Sequence, residues 1–130
     1  MKILVTGGTG YIGSHTVVEL QAKGFEVVIV DNLSNSSSDI VEKISEISGI
    51  IPKLEIFDLT NKDLVADFFS RNNDIVGIIH FAAYKAVGES VNKPLLYYRN
   101  NIESLINVME GMQTNGIENI VFSSSCTVYG

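Results

Sequence analysis

The chain has 130 residues, 45% of them hydrophobic, with a mean hydropathy of +0.23, which suffices for one ordinary domain with a real core and argues against disorder. A formal net charge of −6 gives the surface no electrostatic reason to seek nucleic-acid phosphates or anionic lipid. The lone cysteine, Cys126, excludes an intrachain disulfide, and neither MKILVTGG at the start nor IVGIIHFAAY at 75–84 has the apolar length of a signal peptide or a membrane span, so a soluble, cytoplasmic protein is expected.

Short β-branched runs alternate with helical patterns along the chain. Strands are predicted at 2–6 (KILVT), 26–31 (EVVIVD), 53–58 (KLEIFD), 75–81 (IVGIIHF) and 118–123 (ENIVFS). They are apolar on both parities, the mark of a parallel sheet covered by helices on both faces. The first helix is expected from Tyr11 to Lys23, stopped by Gly24. The second, Asp39 to Ser48, sets Ile40, Ile44 and Ile47 on one face and ends at Gly49. In the third, TNKD predicts a cap by Thr60 with Asp63 reciprocating, and Leu64, Val65, Phe68 and Phe69 on one side. The fourth opens near Pro94 and runs to about Thr114, before Asn115-Gly116. Its apolar positions Leu95, Tyr98, Ile102, Leu105, Met109 and Met112 read either as packing onto the sheet or as part of a subunit interface, since Leu96 and Ile106 widen the apolar face.

The strongest motif is VTGGTGYIG at 5–13. It satisfies G-x-x-G-x-x-G through Gly7, Gly10 and Gly13, and G-x-G-x-x-G through Gly8, Gly10 and Gly13. Following a strand and opening a helix, such glycines let backbone approach a pyrophosphate while the helix N-terminus stabilises negative charge. A tight turn with close helix–strand packing is the alternative. Asp31 weighs against that alternative, because it closes the second strand 18 residues after Gly13, where a carboxylate accepts from an adenosine ribose and repels a 2′-phosphate. NAD is therefore expected in preference to NADP. A P-loop is excluded, since Ser14 stands where its lysine belongs. Asp58 ends the third strand, where it either accepts from an adenine amino group or makes a turn. His80 reads as a satisfied core histidine, and His15 and Cys126 supply no metal-ligand spacing with it.

These residues carry a resemblance. TGGTGYIGSHT, DNLSNSS, HFAAYKAVGESVNKP, YYRNN and FSSSCTVYG are similar to the N-terminal part of the UDP-glucose 4-epimerase family, within the extended short-chain dehydrogenase/reductases. The resemblance covers the whole chain. It implies an α/β fold, a Rossmann-like doubly wound parallel sheet of five βα units, C-terminally incomplete, with residues 1–130 the N-terminal part of an NAD-binding domain and a C-terminal substrate domain absent. The related 4,6-dehydratases carry Thr-Asp-Glu where this chain has Ser125-Cys126-Thr127, so redox without dehydration is expected.

By the same resemblance Gly7, Gly10, Tyr11 and Ile12 line the pyrophosphate turn with Gly13, and Asp31, Asn32, Asn35 and Ser36 surround the ribose. Asp58 and Leu59 meet the adenine. Phe81, Ala82, Ala83 and Lys85 follow the cofactor, and Asn100 reaches it from the fourth helix. Lys85, Ser125 and Thr127 face the sugar nucleotide, with Ser123 nearby and Ser125 hydrogen-bonded to the reacting hydroxyl. The implied reaction interconverts UDP-galactose and UDP-glucose by transient oxidation at C4, and the implied assembly is a homodimer packed through helices like the fourth. The family's Tyr-x-x-x-Lys pair has no match in the chain, Tyr129 being the only late tyrosine, so no turnover is expected from these 130 residues alone. A non-catalytic NAD-binding module and another NAD-dependent nucleotide-sugar epimerase are the competing readings.

Overall fold

The computed structural model describes residues 1–7, 11–31, 39–81 and 94–122, with the side chains of 11–12, 94–98, 100–101 and 122 outside that description. In chain order the elements are β1 (Lys2–Thr6), α1 (Tyr11–Ala22), β2 (Glu26–Asp31), α2 (Asp39–Ser48), β3 (Lys53–Ile56), α3 (Lys62–Arg71), β4 (Ile75–His80), α4 (Pro94–Asn115) and β5 (Ile120–Phe122). The strands pair in parallel in the order β3-β2-β1-β4-β5. β1 is thus central, and the chain crosses from one side of it to the other between β3 and β4. That reversal puts the topological switch point between β1 and β4, at whose carboxyl ends an open α/β sheet binds its ligands.

Alternation along the strands feeds two apolar layers. Leu4, Val28, Val30 and Ile78 point to the face covered by α3 and α4, where they meet Phe68, Phe69 and Val108. Val5, Val27 and Ile29 point to the other face and meet Val17 of α1 and Ile44 of α2. Because both parities are buried, the strands lack the polar alternation of a half-solvated sheet. Gly111 lets α3 and α4 approach closely, since a Cβ there would fall inside the Phe69 ring.

Several expectations are corrected by tertiary context. α1 ends at Ala22 rather than Lys23, with Gly24 at φ +90° closing the turn. β3 stops at Ile56, because Asp58 turns the chain, and β5 begins at Ile120. The cap of α3 is Asn61, whose side chain accepts from Leu64 N at 3.2 Å, while Thr60 bonds back to Asp58 instead. On α2 only Ile44 is fully buried, and Ile47 is 72% exposed. Leu64 likewise faces outward on α3, while Val65, Phe68 and Phe69 are buried as expected.

α4 runs Pro94–Asn115, and its apolar stripe divides between the two roles, with Met112 buried, Leu105 half-buried and Ile102 and Met109 exposed. Among its described side chains, Ser104, Asn107, Val108 and Met112 form the buried face, while Ile102 and Met109 point to solvent together with Ile106. Small and polar residues took the inner face because α3 and the turn after β3 press on it. Leu95 and Tyr98 lie outside the described side chains.

Candidate functional site

The carboxyl ends of the strands bring the sequence-singled residues to one edge. β1 ends at Thr6, and Gly7 follows with φ +70°, a left-handed conformation that favours glycine, its N–H donating to Val30 O at 2.9 Å. The backbone then leads to α1, whose first turn carries no acidic residue and so leaves the positive end of the helix dipole uncompensated by carboxylate. Gly13 is buried within that first turn.

β2 ends at Asp31, half-buried, and its carbonyl accepts from Phe57 N at 3.2 Å. That bond sets the start of the turn after β3 directly beside Asp31. In the turn, Asp58 Oδ1 accepts from Thr60 N at 2.9 Å and from the Thr60 hydroxyl at 2.8 Å. The turn role weighed for Asp58 is therefore realised. Its other carboxylate oxygen makes no hydrogen bond among the described residues. Leu59 is buried in the core layer of α3 and α4.

Beside β1, on the side away from β2, β4 ends at His80. Thr6 Oγ1 and His80 Nδ1 share a 2.8 Å hydrogen bond, and Phe81 N donates to both Thr6 O at 2.9 Å and Thr6 Oγ1 at 3.1 Å. Burial pushes the His80 pKa down to about 4, so the ring is neutral near neutral pH. His80 is thus a partnered histidine, as expected, and it ties β1 to β4 where the two strands release their loops. Phe81 is buried in the opposite core layer.

Gly7, Gly13, Asp31, Asp58, Leu59 and Phe81 therefore lie along one sheet edge. Gly10, Asn32, Asn35, Ser36, Ala82, Ala83, Lys85, Ser125 and Thr127 lie outside the described residues, as do Gly8, Ser123, Cys126 and Tyr129 and the side chains of Tyr11, Ile12 and Asn100. Two contributors escaped the sequence reading. Thr6 passed as an ordinary strand residue, and Asn107 of α4 donates to Leu59 O at 2.8 Å. The only trace of Asn107 in the sequence is a carboxamide beside Val108, one turn after Ser104.

The donor set fits a dinucleotide. A left-handed glycine precedes an acid-free helix start, a combination suited to a pyrophosphate, and the Asp31 carboxylate one strand away is an acceptor of the kind ribose hydroxyls need. No group of three or more His, Cys, Asp or Glu side chains able to hold a metal occurs among the described residues, nor is any described helix long and apolar enough to cross a membrane.

Residues 3–130 match the model of the NAD dependent epimerase/dehydratase family. The chain is 51% identical over 130 residues to the UDP-glucose 4-epimerase of Bacillus subtilis, covering 100% of this chain and 38% of that protein. It superposes with a TM-score of 0.91 and 45% identity on the UDP-glucose 4-epimerase of Bifidobacterium longum solved with NAD+ and UDP, again covering 100% of this chain and 38% of that one. The enzyme of Stenotrophomonas maltophila, solved with NAD and a formylated UDP-arabinopyranose, gives a TM-score of 0.90 at 47% identity over 100% of this chain and 38% of that one. The chain thus spans under two-fifths of the length of these relatives. With the family model matched from the first strand onward and the fold shared throughout, the chain belongs to the NAD dependent epimerase/dehydratase family.

Proposed function

We propose that this chain is the cofactor-binding part of a UDP-glucose 4-epimerase that interconverts UDP-galactose and UDP-glucose in galactose metabolism. The observation that carries the reaction is the likeness to UDP-glucose 4-epimerases, which persists along every part of the chain. The choice of NAD over NADP is supported by Asp31 at the end of β2, whose carboxylate suits free ribose hydroxyls and opposes a 2′-phosphate.

In this reading Gly7, Gly10, Tyr11, Ile12 and Gly13 hold the pyrophosphate, and Asp31, Asn32, Asn35 and Ser36 hold the ribose. Asp58 and Leu59 bound the adenine, while Phe81, Ala82, Ala83, Lys85 and Asn100 orient the remainder. NAD, when bound, supplies reversible hydride acceptance at C4 of the hexose. Ser125 hydrogen-bonds the C4 hydroxyl, and Lys85 and Thr127 help seat the sugar nucleotide. Removal of that hydroxyl's proton needs a base of suitable pKa, and residues 1–130 contain no Tyr-x-x-x-Lys to provide it. The 130-residue polypeptide alone is accordingly inactive, and a homodimer packed through α4 is the expected assembly of the whole enzyme.

The test is an epimerisation assay on the full-length protein, with the 130-residue polypeptide in parallel. UDP-galactose should convert to UDP-glucose only with the former, and Asp31→Ala should weaken NAD more than NADP. Turnover by the short polypeptide would remove the Tyr-x-x-x-Lys argument, and no conversion by the NAD-loaded full-length protein would overturn the proposal.

A further inference from the structure

The turn between β3 and α3 is held in two independent ways. Its own residues close it: Asp58 Oδ1 accepts from Thr60 N and Oγ1, and Asn61 N donates to Asp58 O at 3.0 Å. The rest of the fold then fixes Leu59. Its side chain is buried in the cluster that includes Val108 and Met112, and its carbonyl accepts from Asn107 Nδ2 at 2.8 Å. Asn107 is only 9% exposed, so this bond reaches the turn from inside the α4 layer. A carboxamide on a packed helix face is costly unless paired, and its described partner is the one carbonyl that follows Asp58.

The turn also has a defined place relative to the ribose carboxylate. Asp31 is in register with Ile56, and Asp31 O accepts from Phe57 N, so Asp58 and Leu59 follow just beyond the end of the strand next to Asp31. A nucleotide whose ribose hydroxyls bind Asp31 carries its base outward over β3. There the Asp58 oxygen not used by the turn is an acceptor suited to an exocyclic amine.

We propose that Asn107 is a positioning residue for base recognition: by pinning the Leu59 carbonyl from α4, it fixes the peptide and carboxylate edge that distinguishes adenine from a base lacking the amine. The inference rests on the cofactor reading above. Without Asn107 the Leu59 carbonyl is left buried and unpaired, and the turn relaxes by rotating that carbonyl towards water. The Asp58 carboxylate, one residue earlier, moves with it.

Calorimetric titration of the purified protein with NAD and with nicotinamide hypoxanthine dinucleotide, in which a carbonyl replaces the adenine amine, tests this. The unsubstituted protein should prefer NAD. Asn107→Leu should weaken NAD about tenfold, the scale of one hydrogen bond to a buried carbonyl, and leave the hypoxanthine analogue nearly unchanged, so that the preference collapses. Asn107→Ser, whose hydroxyl is too short to reach Leu59, gives the same comparison if the leucine variant does not fold. Asp31→Ala should weaken both dinucleotides alike. Parallel loss of both in the Asn107 variants, or an unchanged preference, would overturn the role of Asn107 while leaving the cofactor reading standing. Failure of the unsubstituted protein to bind NAD would overturn the cofactor reading and this inference together.

Discussion

His80 links the chemistry of a single side chain to the stability of the whole sheet. Its ring shares a hydrogen bond with Thr6, and burial lowers its pKa from 6.5 to about 4. The unfolded chain therefore takes up a proton as the pH falls through 6.5, whereas the folded chain resists protonation until about 4. Stability attributable to His80 is thus complete above that window and lost as the pH falls across it, by at most about 3 kcal/mol. Denaturant melts at pH 7 and at pH 4.5 should show this loss, and His80→Asn, which keeps a neutral polar group, should flatten it. Equal pH slopes for the two proteins would sink the assignment. This residue also shows what the sequence could not display. Asp31 was legible because its spacing from the glycines is local to one β-α-β unit. The Thr6–His80 and Asn107–Leu59 bonds join residues 74 and 48 positions apart, and no local pattern records such pairs.

At the scale of elements, the strands and helices were legible because buried parallel strands leave long β-branched runs, three of the helices end before a glycine, and the third opens on a capping sequence. What was not legible was which side of α4 faces inward. Periodicity favoured the most apolar stripe, yet the helix buries Ser104, Asn107 and Gly111 and turns Ile102, Ile106 and Met109 outward at 55%, 47% and 45% exposure. The inner side is selected by its neighbours: Gly111 receives the Phe69 ring, and Asn107 receives the Leu59 carbonyl. An apolar stripe left outside on a helix whose inner face is already filled by Ser104, Asn107, Val108 and Met112 has the form of an interface. If α4 packs against its counterpart in a second copy, Ile106→Glu should convert the full-length dimer to a monomer in light scattering, because a carboxylate cannot be buried there unpaired. The far-UV spectrum should stay unchanged, since Ile106 is half-exposed within the subunit. A dimer that survives the substitution would place the interface elsewhere.

For the molecule as a whole, the two edges of the sheet are protected unequally. At one edge β3 carries Lys53 and Glu55, and Arg71 of α3 clamps the Glu55 carboxylate with contacts of 2.8 and 3.2 Å. Charges fixed along an edge discourage a second strand from pairing there. At the other edge β5 reads Ile120-Val121-Phe122, with no charge at all. Its faces differ as well. Ile120 packs against the layer under α3 and α4, but Val121, in register with Ile79 on the face of α1 and α2, is 61% exposed. Among the described residues, those two helices pack over the β1–β2 side of that face, and no helix packs over Val121. An uncharged apolar edge strand with an exposed valine is the combination from which edge-to-edge association starts. The 130-residue polypeptide, expressed by itself, should therefore aggregate or melt at low temperature, and it should do so through β5. Val121→Lys is expected to increase the monomer fraction in sedimentation velocity, whereas Ile56→Lys, at the edge already charged, should change little. A monomer that melts cooperatively without either substitution, or relief by Ile56→Lys alone, would show that β5 is not the vulnerable edge.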